Sequence, residues 1–253
     1  MTPFAEGTLL RAARHASVTD VDNLAGGGVL VLAPHPDDET LGCGAALAAA
    51  VLAGHAAHVI AVTDGDGSHP GSRSWPRKRI AARRARELEA ALAELGDGHI
   101  THERLGCRDQ GVPGLADPAG GEVLERLLIA VLERRPAHLW TTWEGDPHID
   151  HRACAALAGA LASAAAKAAH ALTLSRFAVW GRFVEADAPG AAEALLRFVP
   201  GCTVKALKRR ALARHATQMS ALIDDDPDGF VMPPDMQLHF VEHDELFLRS
   251  CPA

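Results

Sequence analysis

Two short motifs rich in histidine and aspartate stand far apart in this chain. The first is HPDDE at residues 35–39, and the second is HIDH at residues 148–151. Together they offer two imidazoles and a carboxylate to a metal ion, and three protein ligands with an open position are typical of a catalytic zinc site. A further carboxylate and imidazole are left over for acid–base catalysis. Alone, the first motif is equally well explained by an exposed turn, and HxxH spacing arises easily by chance among 14 histidines.

The elements around the motifs predict a sheet that brings them together. Continuous apolar runs at 29–33 and 58–63 are typical of buried parallel strands. Strands and helices then alternate, which predicts an α/β fold, a Rossmann-like doubly wound, mostly parallel sheet flanked by helices. Ligands of such folds bind beyond the carboxyl ends of the strands, and the motifs follow the first and fourth strands. We therefore expect both motifs at one edge of the sheet. The predicted strands are 29–33, 58–63, 99–105, 138–143 and 172–184, and the predicted helices are 41–52, 77–95, 122–135, 152–170 and 205–222.

The domain organisation follows from the same alternation. Residues 1–28 are predicted to form an N-terminal helical extension, and residues 29–253 a single domain. Residues 65–76 are rich in Gly, Ser and Pro and predict a mobile loop near the strand ends. The tail from residue 224 is predicted to be loop-rich, with a short strand near Phe247.

Composition narrows the class of protein. A formal charge of −7 argues against a general binder of nucleic acids or of anionic membranes. The five cysteines are widely spaced and form no CxxC pair, which predicts reduced thiols in a cytoplasmic protein. Cys43 and Cys154 lie near the motifs, and small buried packing residues are the favoured interpretation over thiolate ligands. No run of residues is long and apolar enough to predict a transmembrane helix, and no signal peptide is evident.

The motifs and their surroundings closely resemble those of the PIG-L/LmbE-like zinc-dependent de-N-acetylases. The first motif lies in VLAPHPDDETLGCG at residues 31–44, and the second lies in GDPHIDH, with Ile149 where the family usually has Pro. That side chain is not a ligand, so the change matters little for metal binding. The resemblance runs from about residue 29 to the end, and further matches are TDGD at 63–66, RARE at 84–87, LGCRD at 105–109, Lys208, and HATQ at 215–218.

The resemblance implies a three-layer LmbE-like sandwich and a role for each motif residue. His35, Asp38 and His151 would be the zinc ligands, although two histidines and a carboxylate also suit Fe²⁺. Asp37 would be the general base, and the alternative for this side chain is a structural loop cap. His148 would stabilise the tetrahedral oxyanion, best as an imidazolium. Asp150 would be its outer partner, raising the pKa of the imidazole and orienting it, and the alternative is an N-cap of the following helix.

Other residues are weaker candidates for contacts with substrate. Arg84 matches a family position that contacts substrate, and Asp109 is placed to hydrogen-bond sugar hydroxyls. A surface helix arginine and a turn-holding aspartate are the respective alternatives. The remaining candidates are Asp66 as support for the metal loop, His215 and Gln218 as pocket residues, and Trp75, Trp143 and Trp180 as sugar-stacking rings.

The function that the resemblance implies is a metal-dependent hydrolase that removes an N-acetyl or other N-acyl group from an amino sugar or glycoconjugate. The alternatives are a catalytically inactive metal-binding homologue and an amidase acting on a small non-sugar acetamide. A nucleotide-binding Rossmann protein is disfavoured because Gly26-Gly27-Gly28 precedes the strand and no GxGxxG follows one. The expected partner is a small N-acetylated sugar or glycoconjugate, with no nucleic acid, and a homo-oligomer is compatible with the family.

Overall fold

A computed structural model describes residues 5–185 and 193–250 of the chain. In that part, eight strands form one sheet between two layers of helices. The strands are β1 (Ser17–Thr19), β2 (Val29–Ala33), β3 (Ala57–Thr63), β4 (Ile100–Cys107), β5 (His138–Thr142), β6 (Thr173–Phe177), β7 (Glu193–Phe198) and β8 (Glu245–Ser250). The helices are α1 (Thr8–Ala13), α2 (Val21–Ala25), α3 (Asp38–Leu52), α4 (Arg77–Gly96), α5 (Pro118–Arg134), α6 (Ile149–Lys167), α7 (Cys202–Leu212), α8 (Ala216–Met219) and α9 (Pro234–Glu242).

The sheet is parallel except at one strand. Its order is β1-β7-β8-β6-β5-β2-β3-β4, and β8 runs antiparallel to both of its neighbours. Strand β2 lies between β3 and β5, and its five residues are all buried because helices cover both faces. Val29, Val31 and Ala33 belong to the core beneath α3, α4 and α7, while Leu30 and Leu32 belong to the core beneath α5 and α6. The predicted doubly wound α/β fold is confirmed.

Helix α3, which follows the first motif, is broken in its middle. Cys43 has φ −143° and ψ 16°, outside the helical range. The residue before the break has no room for a side chain, since a Cβ on Gly42 would lie 2.1 Å from the Phe177 ring. The break frees backbone groups that a buried ion pair satisfies. The Glu245 carboxylate accepts hydrogen bonds from the N–H groups of Ala45 and Ala46, at 2.7 and 2.8 Å.

The cation of that pair is Lys208, on α7. Its ammonium donates to the Leu41 carbonyl at 2.8 Å and to the Glu245 carboxylate at 2.6 Å. Both side chains are almost completely buried. The pair therefore ties α7 and β8 to the two halves of α3, and so to the helix that begins within the first motif.

Some elements differ from those predicted. The N-terminal 28 residues contain helices α1 and α2, as expected, but also β1, which pairs with β7 and so belongs to the sheet. The single helix predicted at 205–222 is two helices, because the backbone of His215 (ψ 53°) leaves the helical range. Strand β7 and helix α9 were not predicted, whereas the strand near Phe247 was. None of the described helices has the length and apolar character needed to cross a membrane.

Candidate metal centre

The two motifs meet at one edge of the sheet, as predicted. The first follows β2 and begins α3, and the second lies between β5 and α6. Strands β2 and β5 are hydrogen-bonded neighbours, so their carboxyl ends carry both motifs into the same place. The ring centroids of His35 and His148 are 4.7 Å apart, and those of His148 and His151 are 5.0 Å apart.

Asp38 lies between two of the histidines. Its Oδ2 is 3.1 Å from His35 Nδ1 and 3.2 Å from His151 Nε2, and all three residues are buried. Burial acts to raise the pKa of Asp38, but the charge of the nearby His151, together with His35, holds that pKa well below its usual range. Burial acts to lower the pKa of His151, and Asp38 and Asp146 reverse this and raise it to about 9. The cluster is thus an anionic carboxylate between two basic imidazoles.

Two overlapping groups of side chains around His35 have the spacing of a metal-binding site. Single ring nitrogens of His35, His148 and His151 all lie within 4.8 Å of one another. A second grouping with the same spacing joins His35 and His148 to Asp109 and Asp150. Both ring nitrogens of His151 are buried without a hydrogen bond of good geometry, which is costly unless another partner binds them. Imidazole nitrogen and carboxylate oxygen are donors that zinc and ferrous iron both accept.

Asp146 supports the cluster from outside, and sequence reasoning assigned it no role. Its Oδ1 lies 3.2 Å from His151 Nδ1 and accepts a hydrogen bond from the His148 N–H at 3.1 Å. Its Oδ2 accepts one from the Gly181 N–H at 3.0 Å. Histidines that bind metals usually direct their second nitrogen at such a carboxylate, which fixes the ring. The signal was available, since Asp146 lies in the second motif's GDPHIDH segment.

Asp37 is a buried carboxylate with a strained backbone. Its φ is 145°, a region that side chains other than glycine rarely occupy, and such strain concentrates at functional sites. The Glu39 carboxylate accepts a hydrogen bond from the Asp37 N–H at 3.0 Å. Burial raises the pKa of Asp37 to about 6, although Arg84, 3.2 Å away, opposes the shift. Asp37 occupies the N-cap position of α3 but makes no capping hydrogen bond with its side chain, which speaks against the loop-cap alternative.

His148 and Asp150 are arranged differently from the expectation. His148 is the N-cap of α6, and its Nδ1 accepts a hydrogen bond from the Asp150 N–H at 3.2 Å. That nitrogen therefore carries no proton, and burial, followed by the nearby His35 and His151, lowers the pKa of His148. This geometry disfavours the expected imidazolium and favours the neutral tautomer with its proton on Nε2.

The hydrogen-bonding contacts of the Asp150 carboxylate are with residues other than His148. The carboxylate lies 3.1 Å from His35 Nε2 and accepts hydrogen bonds from the N–H groups of Gln110 at 2.7 Å and Val112 at 3.2 Å. The charge of Asp150 acts to raise the pKa of His148, as expected, but burial and the nearby His35 and His151 outweigh it, and the group that hydrogen-bonds to the ring is the Asp150 N–H and not the carboxylate. The N-cap alternative is also corrected, because His148 holds that position and Asp150 lies in the first turn. Asp150 instead orients His35 and the loop after β4.

Arg84 and Asp109 both line a cavity beside the cluster, but both have partners within the protein. The buried Arg84 guanidinium donates to the carbonyls of Gly65 and Pro36, each at 2.7 Å. The Asp109 carboxylate accepts a hydrogen bond from the Gly67 N–H at 2.9 Å and lies 3.3 Å from His35 Nε2. Arg84 is thus not a surface arginine, and Asp109 holds the loop after β3 against the metal cluster.

The cavity has a volume of about 570 Å³ and contains several of the weaker candidates. Gln218 and Trp180 line it, together with the metal-motif residues. His215 lies behind it, fully buried, 3.2 Å from Thr40 Oγ1. Trp143 and Trp75 are not among the lining residues, and Asp66 pairs with Arg77 instead of the metal loop. Cys43 and Cys154 are buried in the core, where desolvation raises the pKa of both thiols well above the usual value, which confirms the packing interpretation.

Known proteins with similar sequences identify the family of this chain. The sequence model of the PIG-L family, described as GlcNAc-PI de-N-acetylase, matches residues 30–162, just over half of the chain. A curated relative from Mycobacterium avium (strain 104), 1D-myo-inositol 2-acetamido-2-deoxy-alpha-D-glucopyranoside deacetylase, is 31% identical over 144 residues. That match covers 49% of this chain and 47% of the relative, so the chain spans about half the length of the curated relatives it matches.

Solved structures share the fold. The N,N'-diacetylchitobiose deacetylase from Pyrococcus horikoshii has a TM-score of 0.65 at 19% identity, covering 94% of this chain and 89% of its own. The zinc-inhibited form of teicoplanin deacetylase Orf2 has a TM-score of 0.66 at 18% identity, covering 89% and 99%. At these identities the likeness concerns the arrangement of the sheet and helices alone.

Proposed function

The chain belongs to the PIG-L family, and on that premise we propose that it is a metal-dependent hydrolase that removes an N-acetyl or other N-acyl group from an amino sugar or glycoconjugate. One observation carries the proposal. A buried carboxylate with a raised pKa, Asp37, lines a cavity beside His35, Asp38 and His151, in which an Asp38 oxygen lies within 3.2 Å of a ring nitrogen of each histidine. The curated relatives are named for removing acetyl from an amino sugar, which agrees with this chemistry.

His35, Asp38 and His151 are the proposed ligands, with zinc the first candidate and Fe²⁺ the second. Two neutral imidazoles and one carboxylate leave such an ion with net positive charge, and when bound it would acidify a water and polarise an amide carbonyl. Asp150 and Asp146 orient His35 and His151 from outside. Each carboxylate faces one ring nitrogen of its histidine, which leaves the other ring nitrogen to bind the metal.

Asp37 is the proposed general base. Its raised pKa makes it a better proton acceptor than an ordinary carboxylate, and the nearby Arg84 keeps part of its population ionised. Asp37 would take the proton of the attacking water and then give it to the departing amine, which leaves poorly without one. The Asp37 N–H donates to the Glu39 carboxylate and so fixes the backbone, and Arg84, 3.2 Å away, positions the Asp37 carboxylate itself.

His148 is the proposed donor to the oxyanion. Because its Nδ1 accepts the Asp150 N–H, the proton sits on Nε2, and His148 lines the cavity. A neutral imidazole would then stabilise the negative oxygen through its Nε2–H, without a change in its protonation state. The chain contains no Tyr, so this common alternative donor is absent.

The test is release of primary amine from a panel of N-acetylated amino sugars and their glycosides. The protein would be loaded separately with Zn²⁺ or Fe²⁺ and its metal content quantified. Each metal would also be added in excess, because one structural neighbour is described as a zinc-inhibited form. We expect release that a chelator abolishes and that metal restores. Near-stoichiometric metal with no release from any sugar, beside release from a small acetamide, would favour the non-sugar amidase. No release at all would favour the inactive homologue.

A further inference from the structure

The cavity beside the metal cluster has an aromatic wall. Trp180 and Phe230 both line it, and their rings meet edge to face with centroids 5.6 Å apart at 86°. Both side chains are half-buried, so each keeps surface that a ligand can cover. The volume, about 570 Å³, lies in the range of pockets that bind a drug-sized organic molecule. Aromatic faces of this kind bind flat or apolar groups.

This wall is held at a fixed place relative to the metal cluster. Trp180 starts a short 3-10 turn, and the next residue, Gly181, donates its N–H to Asp146, which also faces His151. The turn is therefore coupled to a residue that orients a proposed ligand. A rigid wall loses little conformational entropy when a substrate binds.

Phe230 is held by a second set of contacts. Its N–H donates to the Ser68 carbonyl at 2.8 Å, and Asp226 accepts the Gly71 N–H at 2.8 Å. Asp225 accepts hydrogen bonds from Ser72 Oγ and from the N–H groups at 73 and 74. The loop at 65–76, predicted to be mobile, is thus cross-linked to residues 225–230 by hydrogen bonds. The aromatic wall is formed by segments that these bonds keep together.

The charges that line the cavity are mostly negative. The lining residues include four aspartates, Asp37, Asp38, Asp109 and Asp228, and a single arginine. That arginine, Arg84, is already bound by two carbonyls and lies against Asp37. No lysine stands among the lining residues in the described part of the chain. A phosphate placed beyond the metal cluster would find no free cationic side chain and would face the exposed Asp228, an unfavourable like-charge contact.

We propose that this pocket selects an uncharged N-acyl amino-sugar glycoside with an apolar, ring-shaped aglycone. Trp180 and Phe230 contact the aglycone, and the acidic lining disfavours a phosphorylated sugar. The inference rests on the proposed deacylase function and adds a substrate class to it. It makes the two aromatic residues and Asp228 specificity determinants, while the metal motif supplies the chemistry.

Three substrates of metal-loaded protein test this inference by amine release: N-acetylglucosamine, its phenyl β-glycoside, and its 1-phosphate. We expect kcat/KM for the phenyl glycoside to exceed that of the free sugar by about tenfold, the scale of one well-placed aromatic contact. The 1-phosphate should be the poorest substrate. Equal values for the three would overturn the inference alone. No release from any of them, with metal bound, would contradict the proposed function as well.

Two pairs of variants locate the determinants. Trp180→Ala and Phe230→Ala should each lower the ratio of the phenyl glycoside to the free sugar, and two variants from separate segments guard against one failing to fold. Trp75→Ala is the matched control, since that ring lies outside the cavity beneath Arg79, and it should leave the ratio unchanged. Asp228→Asn should raise kcat/KM for the 1-phosphate relative to the free sugar, whereas Asp224→Asn should not. Unchanged ratios in both aromatic variants would refute the assignment.

Discussion

Replacing Lys208 by Met should destabilise the fold far more than a typical loss of a charge. The ammonium group is almost completely buried, with the Leu41 carbonyl and the Glu245 carboxylate as its partners. Without it, Glu245 remains a buried carboxylate with no cation beside it. The Leu41 carbonyl, near the break in α3, also loses the ammonium group that donates to it. Removing one member of a buried pair costs about 3–5 kcal/mol, a large share of the roughly 5–15 kcal/mol that stabilises a folded domain.

That cost can be read from unfolding by urea and by heat. At about 2–4 °C per kcal/mol for a chain of this size, Lys208→Met should lower the Tm by roughly 6–20 °C. Arg210→Met on the same helix is the matched control, because Arg210 pairs with Glu94 at the surface and is 54% exposed. A pair of that kind contributes less than about 1 kcal/mol.

A double variant distinguishes the cost of an unpaired buried charge from the cost of lost side-chain packing. Lys208→Met with Glu245→Gln removes both charges and leaves an amide oxygen for one of the α3 N–H groups, so its cost should be well below the sum of the single variants. Equal losses in Lys208→Met and Arg210→Met, or strict additivity in the double variant, would refute the view that this pair holds the break in α3.

Three further predictions concern the metal centre. Asp37→Asn should bind the metal as the parent protein does and lose most turnover, and equal loss of metal and activity would remove Asp37 from the role of base. Metal binding at pH 7 should release protons, because His35 and His151 have raised pKa values in the metal-free site and imidazoles must be neutral to bind a metal. The affinity for the metal should therefore rise with pH. Binding enthalpies from calorimetry that are the same in buffers of different ionisation enthalpy would contradict this. His148→Gln should lower turnover but leave any fall of activity at alkaline pH in place, since the pKa of His148 is lowered and the ring acts as a neutral donor. Loss of that alkaline fall in the variant would instead support an imidazolium at His148.

The predictable part of the structure is the part whose sequence pattern repeats. The buried strand at 29–33 was predicted to the residue because both of its faces are apolar, and the motif positions followed from the rule for strand ends. Strand β1 has three residues, two of them exposed, so it carries no such pattern. The protonation state of His148 depends on a backbone N–H two residues along, and the partner of Asp150 depends on a loop from another strand. Those contacts are set by tertiary packing, which spacing alone does not report.

The place of β8 in the sheet determines the order in which this protein can be completed. Among the described strands, β7 joins the sheet through β8, and β1 joins it through β7. A nascent chain emerges N-terminus first, so its residues 17–19 must wait for residues 245–250 before they can dock. Glu245 is the first residue of that same strand, and its carboxylate accepts hydrogen bonds from α3, the helix that begins within the first motif. Ribosome-bound chains that have not yet made β8 would thus carry both motifs, but not the Glu245 carboxylate that accepts the N–H groups of Ala45 and Ala46.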